Sequence, residues 1–146
     1  MPETPADVLQ ALPAAYADWR RRTLGRSTDA LEERLLLHRI GPARGLRVLD
    51  VGCGDGVLDT RLAQAGARVT GLDASADMIA AAHRRANAAG VELDLVEGDA
   101  DDLPFPAGHF DCVVSVATLC FVDDPRPTIE GMVRVLKPGG TLILGE

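Results

Sequence analysis

Three glycines at alternate positions, set among acidic residues, form the most informative pattern in this sequence of 146 residues. Residues 48–56 read VLDVGCGDG, so an apolar run that contains Asp50 leads into Gly52, Gly54 and Gly56. Glycine lets the backbone turn sharply and lets a ligand lie directly on the main chain, because no Cβ is in the way. The pattern therefore predicts a buried strand followed by a glycine loop that contacts a ligand.

A further acidic residue lies at a spacing that suits the same ligand. Asp73 follows Gly54 by 19 residues, at the predicted C-terminal end of the next strand. A carboxylate there can accept hydrogen bonds from both hydroxyls of a ribose, at about 1.5–3 kcal/mol per charge-assisted bond. The alternative is an aspartate that caps the following helix. The matched spacing of loop and acid favours the ribose role, which both NAD-type and adenosylmethionine-type cofactors would use.

The glycine loop differs from a dinucleotide-binding fingerprint in two ways. The G-x-G-x-x-G pattern requires a glycine where this chain has Val57. Asp50 and Asp55 also place negative charge where a pyrophosphate would lie, which is unfavourable. S-adenosylmethionine carries an ammonium, a carboxylate and a sulfonium but no phosphate, so it suits this loop better. The acid at the end of the first strand can bind the ammonium directly or through water, or it can brace the loop.

Strand and helix patterns alternate along the chain from residue 47 onwards. Nearly continuous apolar runs predict strands at 47–51, 110–116 and 141–144. Strands are also predicted at 68–73 and at 91–96, where apolar and acidic residues alternate as suits an edge strand. Apolar residues at helical spacing predict helices at 57–65, from Ser75 to Gly90, and from Asp124 to Leu136. Such alternation implies right-handed crossovers and a parallel sheet, so the expected fold class is α/β.

The first 45 residues precede this alternation and carry a helical pattern of their own. A helix is predicted over 13–22, and Asp29 with Glu32 predicts the start of a second helix that ends at Gly41. The predicted apolar face of the second helix comprises Leu31, Leu35, Leu36 and Ile40. We expect an N-terminal helical cap over residues 1–45, lying over the ligand edge of the sheet, and a cofactor-binding core over residues 46–146.

Composition argues against several classes of protein. The formal net charge of −7 lacks the basic excess of a nucleic-acid-binding protein. No run approaches the roughly 18 apolar residues of a membrane helix. Cys53, Cys112 and Cys120 show no metal-ligand spacing, so no metal site is expected, and their odd number indicates reduced thiols in the cytoplasm. Cys112 and Cys120 are interpreted as packing residues.

Six stretches, taken in order, resemble the class I S-adenosylmethionine-dependent methyltransferases, and within that class the small-molecule type 11 group. They are VLDVGCGDG at 48–56, GLDAS at 71–75, GDA at 98–100, LPF at 103–105, FDCVVS at 110–115 and LKPGG at 136–140. The resemblance spans residues 46–145. Each stretch is a weak signal alone, whereas the ordered series is specific.

The resemblance implies a Rossmann-like three-layer sandwich with a parallel sheet in the order 3-2-1-4-5. In the family the sheet continues with a hairpin that extends the order to 3-2-1-4-5-7-6. This chain is expected to end after strand 5, without that hairpin. Strand 5 would then be an apolar edge, so a homodimer through this edge or through the N-terminal helices is a further expectation.

The resemblance also implies roles for individual residues around S-adenosyl-L-methionine. The methionine portion would be held by Asp50, Gly52, Cys53 and Gly54. The ribose would be bound by Asp73 and Ala74, and the adenine would contact Met78, Asp99 and Ala100. The methyl group would face Ser115 and Val116, and Tyr16 would close over the cofactor. Alternatives remain for three of these residues. Met78 is at core spacing, Asp99 can fix the following loop, and Tyr16 can attach the N-terminal helix to the sheet.

The implied activity is transfer of a methyl group to a small-molecule acceptor. The alternative is a module or fragment that binds S-adenosylmethionine or a nucleotide without catalysis. No general base is evident in the sequence, so the catalytic residues are left open. His38, His83 and His109 all fit surface positions, although His109 and Asp123 lie near predicted strand ends. We therefore expect proximity and orientation to supply most of the rate acceleration.

Overall fold

The computed structural model of this chain describes residues 14–15 and 18–145. The strands are β1 (Arg47–Val51), β2 (Arg68–Asp73), β3 (Asp94–Glu97), β4 (Phe110–Val116) and β5 (Leu136–Gly145). The helices are α1 (Thr23–Ile40), α2 (Val57–Gln64), α3 (Ala76–Ala89) and α4 (Pro125–Val135), with a 3₁₀ helix at Leu119–Phe121. The expectations for Tyr16 fall outside the described residues. Within residues 18–145, no helix has the length and apolar content needed to cross a membrane.

All five strands belong to one parallel sheet in the order β3-β2-β1-β4-β5. The first strand, β1, lies in the middle of the sheet. Strands β2 and β3 follow on one side of β1, and β4 and β5 lie on the other side. The order therefore reverses between β1 and β4. Ligands of open α/β sheets bind at such a reversal, outside the carboxyl ends of the strands.

Helices cover both faces of the sheet. On one face α1 and α2 pack over a cluster that includes Leu36, Val48, Leu62, Val69, Cys112 and Val114. On the other face α4 packs over a cluster that includes Leu49, Val51, Leu72, Phe110, Val113, Met132 and Val135. Central strands covered on both faces are largely apolar, which explains why β1 and β4 are nearly continuous apolar runs. The predicted three-layer α/β fold and its strand order are confirmed.

Helix α1 differs from the prediction in its start and its apolar face. It begins at Thr23 rather than after Asp29. Leu36 is buried, whereas Leu31 and Leu35 are 70% and 56% exposed. Neighbouring residues are about 100° apart around a helix, so burial of Leu36 turns Leu35, and Leu31 one turn before it, away from the sheet. The position of the N-terminal residues over the ligand edge stays a prediction.

The two edge strands also differ from their predicted bounds. β3 begins at Asp94 rather than Val91, because the Val91 N–H donates to the Ala86 carbonyl and so belongs to the end of α3. β5 begins at Leu136 rather than Thr141. Leu136 pairs with Phe110 and Thr141 pairs with Cys112, so residues 137–140 form a bulge within the strand.

Candidate functional site

The glycine loop connects β1 to α2 at the carboxyl edge of the sheet. Gly52, Gly54 and Gly56 have φ angles of +80°, +57° and +75°, in the left-handed region that favours glycine. The Gly52 N–H donates to the Leu72 carbonyl over 2.7 Å, which fastens the loop to β2. A Cβ at Gly54 would meet no atom within 4 Å. The Gly54 backbone is therefore accessible to a ligand, as the sequence predicts.

Asp73, at the end of β2, holds the turns that follow β1 and β2 together. Its Oδ2 accepts from the Gly54 N–H and its Oδ1 accepts from the Ser75 N–H, each over 2.9 Å. Each carboxylate oxygen keeps a second lone pair, so two ribose hydroxyls can still donate to the same group. The cap of α3 is Ser75, whose hydroxyl accepts from the Met78 N–H over 3.3 Å. The structure thus gives Asp73 a bracing role, and its ribose contact stays a prediction.

The predicted cofactor site continues beyond Asp73 with Ala74 after β2, Met78 on α3, and Asp99 and Ala100 after β3. Ala74 and Asp99 are exposed, and Ala100 is half-buried. Met78 is only 9% exposed and packs with Ile79 in the buried side of α3. The core interpretation describes the position of Met78 well, while the adenine contacts of these residues stay predictions.

The end of β4 is fastened to β1 by side-chain hydrogen bonds. Ser115 is fully buried, and its hydroxyl donates to the Val51 carbonyl over 2.9 Å. The Thr118 hydroxyl approaches the same carbonyl at 3.1 Å. The Ser115 side chain is thus turned into the sheet, so only its backbone can reach a cofactor. Val116 is half-buried at the strand end.

Thr118 explains why position 52 is a glycine. A Cβ at Gly52 would collide with the Thr118 side chain, whose Cβ and Cγ2 would both lie 3.0 Å away. The loop after β4 therefore rests directly on the glycine loop. Among the described residues other than glycine, Ala117 alone has a positive φ, of 51°, and this turn brings Thr118 over the loop. The sequence contains no signal for this contact.

The Gly52→Ala variant is expected to be destabilised by about 2–5 kcal/mol, from left-handed strain and collision with Thr118. For a chain of this size, that corresponds to a fall in Tm of about 5–15 °C. Thermal unfolding followed by circular dichroism measures it. Gly90→Ala is the matched control, because Gly90 has a φ of +69° with no atom near its Cβ position. Equal losses in both variants would contradict the close contact with Thr118.

Asp55 is held by two arginines. Its carboxylate oxygens lie 2.6 Å from Arg20 Nη1 and 2.9 Å from Arg85 Nη2. Its charge is therefore balanced within the protein, and the predicted repulsion of a pyrophosphate by Asp55 is wrong. From the sequence alone, the run Arg20-Arg21-Arg22 is interpreted as a solvated helix face rather than as a polyanion site. Only a fifth of the Arg20 side chain is exposed, so for this residue that interpretation is corrected.

Behind the loop lies a buried acidic pair, Asp50 on β1 and Asp59 on α2. Asp50 is 5% exposed and Asp59 is fully buried. Burial raises the pKa of Asp50 to about 6, although a hydrogen bond with Asp59 opposes the rise. Burial and the neighbouring Asp50 raise the pKa of Asp59 well above its usual range. Asp59 was not predicted from the sequence.

Two of the cysteines, Cys53 and Cys112, are not suited to nucleophilic chemistry. Burial, with Asp59 nearby, raises the pKa of Cys53 far above its usual range, so the thiol stays protonated and only its backbone is available to a ligand. Cys112 lies in the core as predicted, and burial raises its pKa to about 11. Cys120 is exposed on the 3₁₀ helix, so its interpretation as a packing residue is wrong. The described residues contain no group of side chains that could hold a metal ion.

The candidate bases lie away from the glycine loop or on the surface. His38, His83 and Asp123 are exposed. His109 precedes β4 and packs edge-on against Phe110, which places it at the amino end of the sheet, opposite the carboxyl edge. The structure identifies no general base among them.

The geometry defines a class of protein. A parallel sheet with an accessible glycine loop at its switch point, braced by an acid on the next strand, is typical of α/β proteins that bind a nucleoside-containing cofactor. The family model of the Methyltransferase domain, type 11, matches residues 49–144. The chain belongs to this family, as the sequence resemblance indicates.

Known proteins with similar sequences or folds agree with this membership. The chain is 39% identical over 117 residues to a ubiquinone biosynthesis O-methyltransferase of Cronobacter sakazakii, an alignment that covers 71% of this chain and 48% of the relative. It is 38% identical to a demethylmenaquinone methyltransferase of Renibacterium salmoninarum, with 77% and 46% coverage. The chain thus spans about half the length of these curated relatives.

Solved structures show the same architecture. The [4+2]-cyclase SpnF superimposes with a TM-score of 0.77 at 34% identity, covering 84% of this chain and 46% of that one. An S-adenosylmethionine-dependent methyltransferase of Mesorhizobium loti superimposes with a TM-score of 0.68 at 31% identity, covering 76% and 51%. Family and fold together imply S-adenosylmethionine as the cofactor.

Proposed function

We propose that this protein is an S-adenosylmethionine-dependent methyltransferase that acts on a small molecule. The observation that carries the proposal is the accessible Gly54 backbone held by Asp73, whose carboxylate can accept further hydrogen bonds. The site offers the anionic Asp50 to an ammonium group and the anionic Asp73 to ribose hydroxyls. These groups match the two polar ends of S-adenosylmethionine.

Each part of the site would have a distinct task in the reaction. When bound, the cofactor supplies an activated methyl group on a sulfonium, which is a good leaving group for an in-line displacement. The glycine loop and Asp73 would fix the cofactor, and the end of β4 would lie beneath its reactive centre. Because no base emerges among the described residues, the protein would act mainly by holding the reactants close and aligned.

We propose an aromatic hydroxyl or quinol ring as the acceptor class. The relatives named above are a ubiquinone biosynthesis O-methyltransferase and a demethylmenaquinone methyltransferase. In this chain Phe121 is 77% exposed just after the carboxyl end of β4. A flat apolar side chain there suits stacking against an aromatic ring.

The second candidate function is cofactor binding without methyl transfer. The observation that favours it is the fold likeness to SpnF, which is named as a [4+2]-cyclase rather than as a methyltransferase. A chain with the same sheet can thus belong to a protein with another activity. The glycine loop and Asp73 would serve either function.

Release of S-adenosylhomocysteine distinguishes the two functions. The chain is incubated with S-adenosylmethionine and a panel of catechols, phenols and quinols, and the product is measured by mass spectrometry. Acceptor-dependent release is the expected result. Binding of the cofactor without release for any acceptor of the panel would favour the second function.

The cellular location of the protein is a further proposal. We propose a cytoplasmic location, supported by three cysteines without a disulfide bond among them.

Self-association through the edge of β5 or through α1 stays a prediction. Leu24 and Leu31 on α1 are more than two-thirds exposed, and sedimentation velocity at several concentrations tests this association.

A further inference from the structure

Asp59 is a buried carboxyl group with no donor to stabilise a negative charge. It is 0% exposed, and neither of its oxygens accepts a hydrogen bond from an N–H or O–H group of the described residues. An ionised carboxylate without donors is very costly in such surroundings, so a buried acid of this kind gains a proton instead.

The sheet geometry brings Asp59 beside Asp50. Asp50 and Gly71 are register partners on β1 and β2, and registered residues of neighbouring strands face the same side of a sheet. A Cβ at Gly71 would press on Asp59 Oδ2 and lie 2.9 Å from Cys53 Sγ. Gly71 therefore leaves the space that Asp59 fills, on the face to which Asp50 points. The two carboxyl groups are therefore neighbours behind the glycine loop, and the charge of Asp50 raises the cost of ionising Asp59.

A hydrogen bond between two carboxyl groups requires a proton on one of them. The Asp59 side chain is closed off from solvent, whereas Asp50 keeps a small exposed area at the end of β1. The proton is thus held on Asp59, because ionisation is less unfavourable at the group nearer to solvent. In a hydrogen bond between the two groups, Asp59 would therefore be the donor and Asp50 the acceptor.

We propose that Asp59 is a positioning residue, a neutral carboxylic acid whose O–H donates to Asp50 and keeps Asp50 ionised and oriented toward the ammonium group of the cofactor. This role rests on the proposed function, because it is Asp50 that would meet the ammonium. The role gives a function to Asp59, a buried acid that is not needed to form the glycine loop.

The other charged groups around the pair favour the same arrangement. Asp73 on β2 raises the pKa of Asp50, so a donor to Asp50 is needed to offset it. Asp55 faces Asp59 from the loop, but Arg20 and Arg85 balance its charge. The Cys53 thiol stays neutral. Because the pKa of Asp50 is raised to about 6, Asp50 is mostly ionised at pH 7 and mostly protonated at pH 5.

The proton on Asp59 also predicts a pH-dependent effect on stability. A carboxyl group whose pKa is raised on folding stabilises the folded state below its unfolded pKa, and this contribution is lost as pH rises. Asp59→Asn removes the group that must ionise on unfolding. The variant is expected to raise Tm by several degrees at pH 8 and by less at pH 4. An equal change at both pH values would show that Asp59 has an ordinary pKa.

Two variants separate a hydrogen-bond donor from a space-filling side chain. Asp59→Asn keeps a donor toward Asp50 in the same volume, whereas Asp59→Leu removes it. The affinity for S-adenosylhomocysteine is measured by calorimetry between pH 5 and pH 7.5. The parent and Asp59→Asn should agree within about threefold and lose about tenfold from pH 7 to pH 5, since a group with a pKa near 6 is roughly one-tenth ionised at pH 5. Asp59→Leu should already be at least tenfold weaker at pH 7.

Carbon-13 NMR of aspartate-labelled, ligand-free protein tests the proton directly and needs neither ligand binding nor a folded leucine variant. The carboxyl signal that is absent from the spectrum of Asp59→Asn should have, in the parent at pH 7, the chemical shift of a protonated carboxylic acid. The position of an ionised carboxylate, or equal loss of affinity in both variants, would overturn the proposal. Failure of the parent to bind S-adenosylhomocysteine would instead overturn the proposed function, whatever the NMR signal shows.

Discussion

Asp73→Ala is expected to fold and to lose affinity for S-adenosylhomocysteine by about 10²- to 10⁴-fold. The carboxylate would accept two charge-assisted hydrogen bonds from the ribose, each contributing about 1.5–3 kcal/mol, and about 1.4 kcal/mol corresponds to tenfold in affinity. The variant also frees the Gly54 and Ser75 N–H groups that Asp73 holds. Calorimetric titration measures the affinity, and thermal unfolding reports on the fold.

Asp77→Ala is the matched control for the loss of an acid near this site. Asp77 lies in the first turn of α3 and is exposed, so its removal changes the local charge by the same amount without touching the loop. Its affinity should stay within about threefold of the parent, as for most exposed substitutions. Tight binding by Asp73→Ala would remove the ribose role and leave Asp73 as a brace between two turns.

Gly54→Ala is expected to weaken the affinity for the cofactor by at least about 100-fold. Left-handed strain should lower the free energy of unfolding by only about 1–2 kcal/mol. The new methyl group would meet no protein atom within 4 Å, so it would project from the loop into the space that the methionine portion requires. Calorimetry with S-adenosylhomocysteine and thermal unfolding, measured on the same sample, separate the two effects.

Gly108→Ala isolates the backbone cost of this change. Gly108 has a φ of +62° against +57° at Gly54, and a Cβ there also meets no atom within 4 Å. It lies before β4, at the opposite edge of the sheet. Both variants should show similar falls in Tm, but only Gly54→Ala should lose binding. Normal binding by Gly54→Ala would place the ligand away from this loop.

The centre of the sheet was predictable because strands that are buried on both faces consist mainly of apolar residues. β1, β2 and β4 have the predicted bounds, since each carries buried apolar residues and ends at a turn. The edge strands were less predictable. The start of β3 depends on how α3 ends, and the bulge in β5 depends on pairing with β4, neither of which is a local property of the sequence.

The candidate site was predictable where a single loop carries the pattern. The glycines and Asp73 lie where they were expected. The partners of Asp55 could not be predicted, because Arg20 and Arg85 are 35 and 30 residues away along the chain. Thr118 likewise meets Gly52 only through the three-dimensional fold. Long-range contacts of this kind leave no regular spacing in the sequence.

The buried acid Asp59 illustrates a different limit. It occupies one position of the predicted helix 57–65, where sequence reasoning expects an exposed charge. Its burial follows from the absence of a side chain at Gly71 on the neighbouring strand. Gly71 on β2 and Asp59 on α2 indicate a function only once the fold shows that they are neighbours.

A comparison of two cofactor classes tests the central claim that this loop binds the methionine end of S-adenosylmethionine. The chain is titrated in separate calorimetric experiments with S-adenosylmethionine and with NAD, at pH 7.5 and with the Gly54→Ala variant beside the parent. The account predicts one site for S-adenosylmethionine on the parent, no measurable binding to the variant, and no binding of NAD. Binding of NAD without binding of S-adenosylmethionine would contradict it.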